Sequence, residues 1–186
     1  AAQGIGRAVC EAFAVLGADV VVSDVDGGGA ERVAERLEAT HDTRAIGVEA
    51  DVSDYDAATA MVEATVEEFG ALDVLVNNAG LAGAGAFLDS GPDDWAEKIG
   101  VSLYGTLNCT HAALPGMLER GHGVVVNSAS ASYRGNDPGL AVYGAATAAS
   151  ASCTKTVAQE LVGSGARVNC VCPGTVEPPP TAEFVQ

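Results

Sequence analysis

Short apolar runs alternate with longer amphipathic patterns along the chain, and most are closed by a glycine or a cluster of polar turn residues. Val9, Ala12, Phe13 and Leu16 recur at i, i+3, i+4 and i+7 ahead of Gly17, which predicts an amphipathic helix and its C-terminal stop. "ADVVVSD" (18–24) predicts a strand, followed by a charged helix with Val33 and Leu37 on one face. "RAIGVEAD" (44–51) predicts the next strand. Ser53 or Asp54 suits the cap of a helix that places Ala58, Met61, Val62, Val66 and Phe69 on one face and ends at Gly70. "LDVLVNNAG" (72–80) predicts a buried strand running into a loop. A long helix is expected from Pro92 towards Glu119, interrupted near Pro115, and then a strand in "GVVVNSAS" (123–130). A helix opening near Tyr143 and a last strand in "ARVNCVCPG" (166–174) complete the pattern. Five strands alternating with helices predict an α/β fold built on a doubly wound parallel sheet with helices on both faces. At 186 residues, with no linker and no internal repeat, the chain reads as one domain spanning 1–186.

Composition narrows the partners. With 25 acidic residues against 9 basic ones, the formal charge of −16 argues against nucleic acid or an anionic membrane surface. No apolar run approaches the roughly 18 residues of a membrane-spanning helix, and the first residues lack the pattern of a signal peptide, so a cytoplasmic location is expected. Only Lys98 and Lys155 are lysines. A halophilic source gives such an acidic, lysine-poor surface, and arginine-rich codon usage explains the lysine shortage equally well. Cys10, Cys109, Cys153, Cys170 and Cys172 show no C-x-x-C spacing, most lie in apolar stretches, and they are read as buried free thiols. His111 and His122 are read as a helix residue and a turn residue, and no metal site is expected.

Gly4 and Gly6 stand ahead of an apolar helix. Glycines there let a backbone approach a pyrophosphate at the helix N-terminus, where unpaired N–H groups and the helix dipole favour negative charge. Asp24 falls at the end of the next strand, about 20 residues on, where a carboxylate can bind both hydroxyls of a ribose and repel a 2′-phosphate. The chain opens directly on this turn and ends on "EPPPTAEFVQ", so it is read as a piece of a longer protein that lacks the first and last strands of its sheet.

"QGIG", "VVSDVD", "EADVSD", "LVNNAG", "VVVNSAS", Tyr143 and "VNCVCPG", in this order and at these spacings, closely resemble the short-chain dehydrogenase/reductase family over nearly the whole chain. The resemblance implies a Rossmann-type fold, NAD as cofactor, and hydride transfer between a small-molecule secondary alcohol and a ketone. It places Gly4, Ile5 and Gly6 at the pyrophosphate, Asp24 at the adenosine ribose, Asp51 and Val52 at the adenine, and Asn78, Ala79 and Gly80 along the ribose. Pro173, Gly174 and Val176 fall beside the nicotinamide, while Asn77 braces neighbouring strands. Ser130, thirteen residues before Tyr143, matches the serine that orients the substrate oxygen, and Tyr143 the phenol that exchanges its proton. Ser128 and Ser132 compete for the serine role, and Tyr133, read as a loop residue, for the phenol. The stretch from Leu114 to Tyr143 is also similar to hydroxyacyl-CoA dehydrogenases of cyclic substrates.

Three positions depart from the family pattern. Ser102 stands at its asparagine, Thr147 at its lysine, and Pro178 at its threonine after Pro-Gly. In the family the lysine holds the nicotinamide ribose and lowers the tyrosine pKa, so its loss predicts turnover reduced by about a hundredfold or more near neutrality. Lys155, further along the same helix, is read as a surface residue. Two readings follow: a slow dehydrogenase, or an NAD-binding regulatory or structural subunit without catalysis. The small-residue stretch "YGAATAASASCT" and the long helix before it correspond to the helices that the family pairs across subunits, which implies a homodimer or homotetramer.

Overall fold

The computed structural model describes residues 1–135 and 137–176, so Pro178 lies outside the described residues. Five strands form as the alternation predicts: β1 (Val20–Asp24), β2 (Ala45–Glu49), β3 (Val74–Asn77), β4 (Gly123–Ser128) and β5 (Ala166–Val171). Each is shorter than its apolar run, because the polar residues at the ends turn away. After β2, for example, Asp51 accepts from the N–H of Ser53 at 2.9 Å and closes a turn. All pairings are parallel. They make two ladders, β1-β2 and β3-β4-β5, and among the described residues no ladder joins β1 to β3.

The helices are α1 (Gly4–Val15), α2 (Gly27–Thr40), α3 (Tyr55–Phe69), α4 (Pro92–Ile99), α5 (Gly105–Glu119) and α6 (Ala141–Glu160). Asp26 caps α2 and Asp54 caps α3, each accepting a backbone N–H three residues on. Gly70 ends α3 in the left-handed conformation, at φ 81°. Gly47 has no room for a side chain, since a β-carbon there would strike the backbone of Glu31. Helix α2 therefore lies directly on β2.

Two apolar clusters hold the layers together. One joins α1, α2, β1 and β2 around Val22 and Leu37. The other joins α3 and α5 to β3, β4 and β5 around Leu75, Met117 and Val125. Full burial of such a side chain is worth about 1.5–3 kcal/mol, so these few residues dominate the packing.

Three expectations are corrected. In α1 the buried row is Gly6, Cys10 and Ala14, whereas Ala12 is exposed and Leu16 is 81% exposed. That helix is apolar on most sides, so its periodicity leaves the buried face undefined. In α3, Thr65 rather than Val66 continues the buried face, because its hydroxyl is satisfied by the carbonyl of Met61 at 2.8 Å. The long helix from Pro92 is interrupted at 100–104, where one π-type turn separates α4 from α5, and it continues through Pro115. Pro115 and His111, whose carbonyl it leaves without its helical partner, are both exposed, so water can replace that bond. Helix α6 begins at Ala141, near Tyr143 as expected.

Candidate active site

The glycine turn and the end of β3 come together. Gly4 opens α1 at φ +58°, a conformation that glycine adopts without the steric cost of a side chain. Gln3 caps the helix with no side-chain bond, which leaves first-turn N–H groups for another acceptor. A β-carbon at Gly6 would lie 3.0 Å from Asn78 Nδ2 and 3.1 Å from Ala1 Cα, so only glycine lets these segments approach so closely. Ile5, between the two glycines, is 40% exposed.

Asp24 ends β1 beside this turn. Its Oδ2 accepts from the Ala1 amino group at 2.6 Å and from the Ala2 N–H at 2.9 Å, and its Oδ1 from the Asp26 N–H at 3.1 Å. Burial pushes the carboxyl up, and the N–H groups of Ala2 and Asp26 oppose that effect. The carboxylate is thus presented as an acceptor for paired donors. Asp51 is exposed, and Val52 packs so closely on the start of α5 that a β-carbon at Gly105 would lie 2.6 Å from Val52 Cγ2. Asn108 Nδ2 donates to the carbonyls of Val52 and Ser53 at 3.0 and 3.2 Å and fixes that loop.

At the other end, Gly80 lies between two of the expected site residues. A β-carbon built on it would lie 3.8 Å from both Ser102 Oγ and Tyr143 Cε2. Ala79, before it, is exposed. Ser102 is buried in the π-type turn, where its Oγ accepts from the Leu81 N–H at 3.1 Å and its carbonyl accepts from the Ser150 hydroxyl at 3.0 Å. Asn77 does brace the strands: its Nδ2 donates to Thr110 Oγ1 at 3.0 Å and to Asn127 Oδ1 at 2.8 Å, and Asn127 donates onward to Thr154 at 2.9 Å.

Ser130 follows β4 and caps a short turn at Ala131–Arg134. Its hydroxyl lies 3.1 Å from the Ser132 hydroxyl and accepts the Ser132 N–H at 3.2 Å. The N–H of Ala131 donates to the Pro173 carbonyl at 2.8 Å, which ties the serine to the chain after β5. Gly144 lets α6 begin against that turn, since a β-carbon there would lie 2.9 Å from the Ser132 carbonyl. Thr147 is 2% exposed, and its hydroxyl turns back to the carbonyls of Tyr143 and Gly144, both at 3.1 Å. Lys155 is exposed, as expected. A β-carbon at Gly174 would meet nothing within 4 Å, and Val176 is 53% exposed.

A cavity of about 310 Å³ opens beside Tyr143, bounded by Gly83, Phe87, Asp94, Lys98 and Leu140. Lys98 is a residue that sequence reasoning missed at this site. Its side chain is 12% exposed and pairs with Asp94 at 2.9 Å, and the Asp94/Lys98 spacing of four on a helix opened by Pro92 was the available signal. Tyr133 borders another cavity of about 490 Å³, which Ser132, Gly144 and Ala148 also line and which Ser102 and Gly80 do not. Among the described residues no cluster of three or more His, Cys, Asp or Glu could hold a metal, and no helix is long and apolar enough to cross a membrane.

Parallel α/β ladders, with a glycine turn against Asn78 and a tyrosine against Gly80 beside a cavity, define a Rossmann-type protein. The family model described as short chain dehydrogenase matches residues 1–186, and the chain belongs to that family. It is 39% identical over 184 residues to the (2S)-[(R)-hydroxy(phenyl)methyl]succinyl-CoA dehydrogenase subunit BbsD of Thauera aromatica, covering 96% of this chain and 71% of that one. It is 42% identical over 160 residues to the inactive 2-(S)-hydroxypropyl-CoM dehydrogenase 2 of Xanthobacter autotrophicus, covering 86% of this chain and 68% of that one. Among solved structures it is similar to an NAD+-bound xylitol dehydrogenase, with a TM-score of 0.90 and 28% identity, covering 96% of this chain and 68% of the other.

Proposed function

We propose that this chain is an NAD-dependent oxidoreductase that interconverts a secondary alcohol and a ketone, and that it turns over slowly. The observation that carries this reading is the meeting of Gly80, Ser102 and Tyr143 beside the 310 Å³ cavity. The dehydrogenase names of its relatives and the NAD+ bound to the xylitol enzyme support it.

NAD would supply the hydride acceptor or donor. The turn from Gly4 to Gly6 and the first N–H groups of α1 would hold its pyrophosphate, and Asp24 would accept from the ribose hydroxyls where it now accepts from Ala1 and Ala2. Asp51 and Val52 would face the adenine, and Asn78, Ala79 and Gly80 the ribose. Pro173, Gly174 and Val176 would flank the nicotinamide. Ser130 orients the substrate oxygen in exchange for its contact with Ser132, and Tyr143 gives or takes the proton at that oxygen. A phenol in water titrates near pH 10, so proton exchange near neutrality benefits from an adjacent cation. Thr147 brings none, and its hydroxyl is engaged by its own helix. The experiment is NAD reduction with cyclic and acyclic secondary alcohols, run beside Tyr143→Phe. Activity that survives Tyr143→Phe unchanged would contradict the reading.

A second reading, an NAD-binding subunit without turnover, is favoured by Thr147 and Ser102 and by the likeness to an inactive relative. NADH binding in calorimetry with no turnover, even after Thr147→Lys and Ser102→Asn, would decide for it. The proposal includes a homodimer or homotetramer paired through α5 and α6, which light scattering of the full chain tests.

A further inference from the structure

Cys170 and Cys172 meet at the end of β5. Along that strand Ala166 and Val168 are buried and Cys170 is half-buried, so the alternation carries Cys170 on the inward side. Cys172, just past the strand, is exposed, and the two sulfur atoms lie 3.9 Å apart. The remaining thiols have no such partner among the described residues; Cys10 and Cys109 are buried. We propose that Cys170 and Cys172 are a thiol modification site that small-molecule disulfides, of the glutathione disulfide class, oxidise to an intrachain disulfide.

The chemistry balances as two exchanges. The Cys172 thiolate attacks one sulfur of the small disulfide, its S–S bond breaks, and one small thiolate leaves. The Cys170 thiolate then attacks Cys172 Sγ, the mixed S–S bond breaks, and the second small thiolate leaves. The two protons lost by the cysteines are taken up by the leaving thiolates. Two cysteine thiols are oxidised to one disulfide, and one small disulfide is reduced to two thiols.

Exposure assigns the order of attack. Burial, then the charge and hydrogen bond of Cys172, push the Cys170 thiol up to about 11, which suits it to the second step. Once Cys172 is in the mixed disulfide its negative charge is gone, and that part of the effect on Cys170 is relieved.

Closure must move the backbone. Residues two apart in a strand are separated by about 6.6 Å, the upper edge of the Cα range of a disulfide, and the sulfurs must approach to about 2.05 Å. Cys172 lies beyond the ladder, so the chain can tighten there. The carbonyls on either side of Cys172 are, however, the acceptors for the loop after β4: Val171 takes the Ala129 N–H and Pro173 the Ala131 N–H, both at 2.8 Å. Oxidation therefore pulls on the two residues that bracket Ser130. The chemistry of the thiols does not depend on the function proposed above.

The test is intact-mass analysis and peptide mapping of the full chain in glutathione disulfide, with amide hydrogen exchange at Ala129 and Ala131 before and after. The expected result is loss of two hydrogens with no retained glutathione, a link between Cys170 and Cys172, and faster exchange at both amides that reverses with reductant. Cys170→Ser should retain glutathione on Cys172, whereas Cys172→Ser should give neither product. Closure should quicken as pH rises. A persistent mixed disulfide on the unaltered chain, a link to Cys153, or closure that leaves both amides unchanged would each overturn the proposal.

Discussion

Thr147 gives its hydroxyl to the carbonyl of Tyr143, one helical turn back, at 3.1 Å. The side chain at the position where the resemblance implies a lysine is thus buried and self-satisfied. A lysine there would carry an ammonium past the helix towards the phenol. Thr147→Lys should raise turnover near pH 7 by about tenfold or more, and lower stability by roughly 1–3 kcal/mol because the site is tightly packed. Steady-state rates over a pH series and thermal melts measure both. An unchanged rate in a folded variant would show that another group activates Tyr143.

Ser102 and Thr147 act on the same proton path in the proposed reading, so their effects should not add. Ser102→Asn is expected to help more in the Thr147→Lys background than alone, and a double-mutant cycle of turnover measures the difference. The variant must also keep the Leu81 N–H partnered, since Ser102 Oγ now accepts it.

Asp24 sets the cofactor prediction. Its carboxylate should disfavour a 2′-phosphate, so NADH should bind well ahead of NADPH, and Asp24→Ala should narrow the gap. Paired calorimetric titrations give the ratio directly. Equal affinities in the unaltered chain would remove Asp24 from the proposed role.

Asn77 tests the bracing between β3 and its neighbours. Asn77→Ala leaves Asn127 Oδ1 without the 2.8 Å donor and Thr110 without its own, in a buried setting. The cost should be about 1–3 kcal/mol of folding stability, read from chemical denaturation.

Cys109 gives an alkaline signature. Burial pushes its thiol from 9.0 up to about 11. The folded state therefore holds the proton more tightly, so this contribution is fully present below pH 9.0 and lost as pH rises through about 11. Across that window stability should fall by about 1.4 kcal/mol per pH unit from this thiol, and Cys109→Ala should flatten the slope by that amount.

Strands and caps were legible because they rest on local chemistry. Apolar runs fixed β1 to β5, Gly70 fixed the end of α3, and the cap of α3 was narrowed to Ser53 or Asp54, of which Asp54 is used. Faces were less legible: α1 is apolar on most sides, and Thr65 is buried only because a carbonyl one turn back satisfies its hydroxyl. At the site, the spacings of Ser130 and Tyr143 could be read from the sequence, whereas the inward turn of Thr147 could not. Nor could the π-type turn that carries Ser102, since Gly100 and Gly105 in "IGVSLYG" weaken a helix there without specifying a π-type turn. The reading of the cysteines as buried thiols holds for Cys10 and Cys109 and fails for Cys172, because a C-x-C spacing at a strand end puts two sulfurs on one side.

The approach of Gly6 to Asn78 has a thermodynamic consequence. A ligand that touches both the glycine turn and the end of β3 binds only while the two stay aligned, so its saturation should stabilise the folded chain against opening between them.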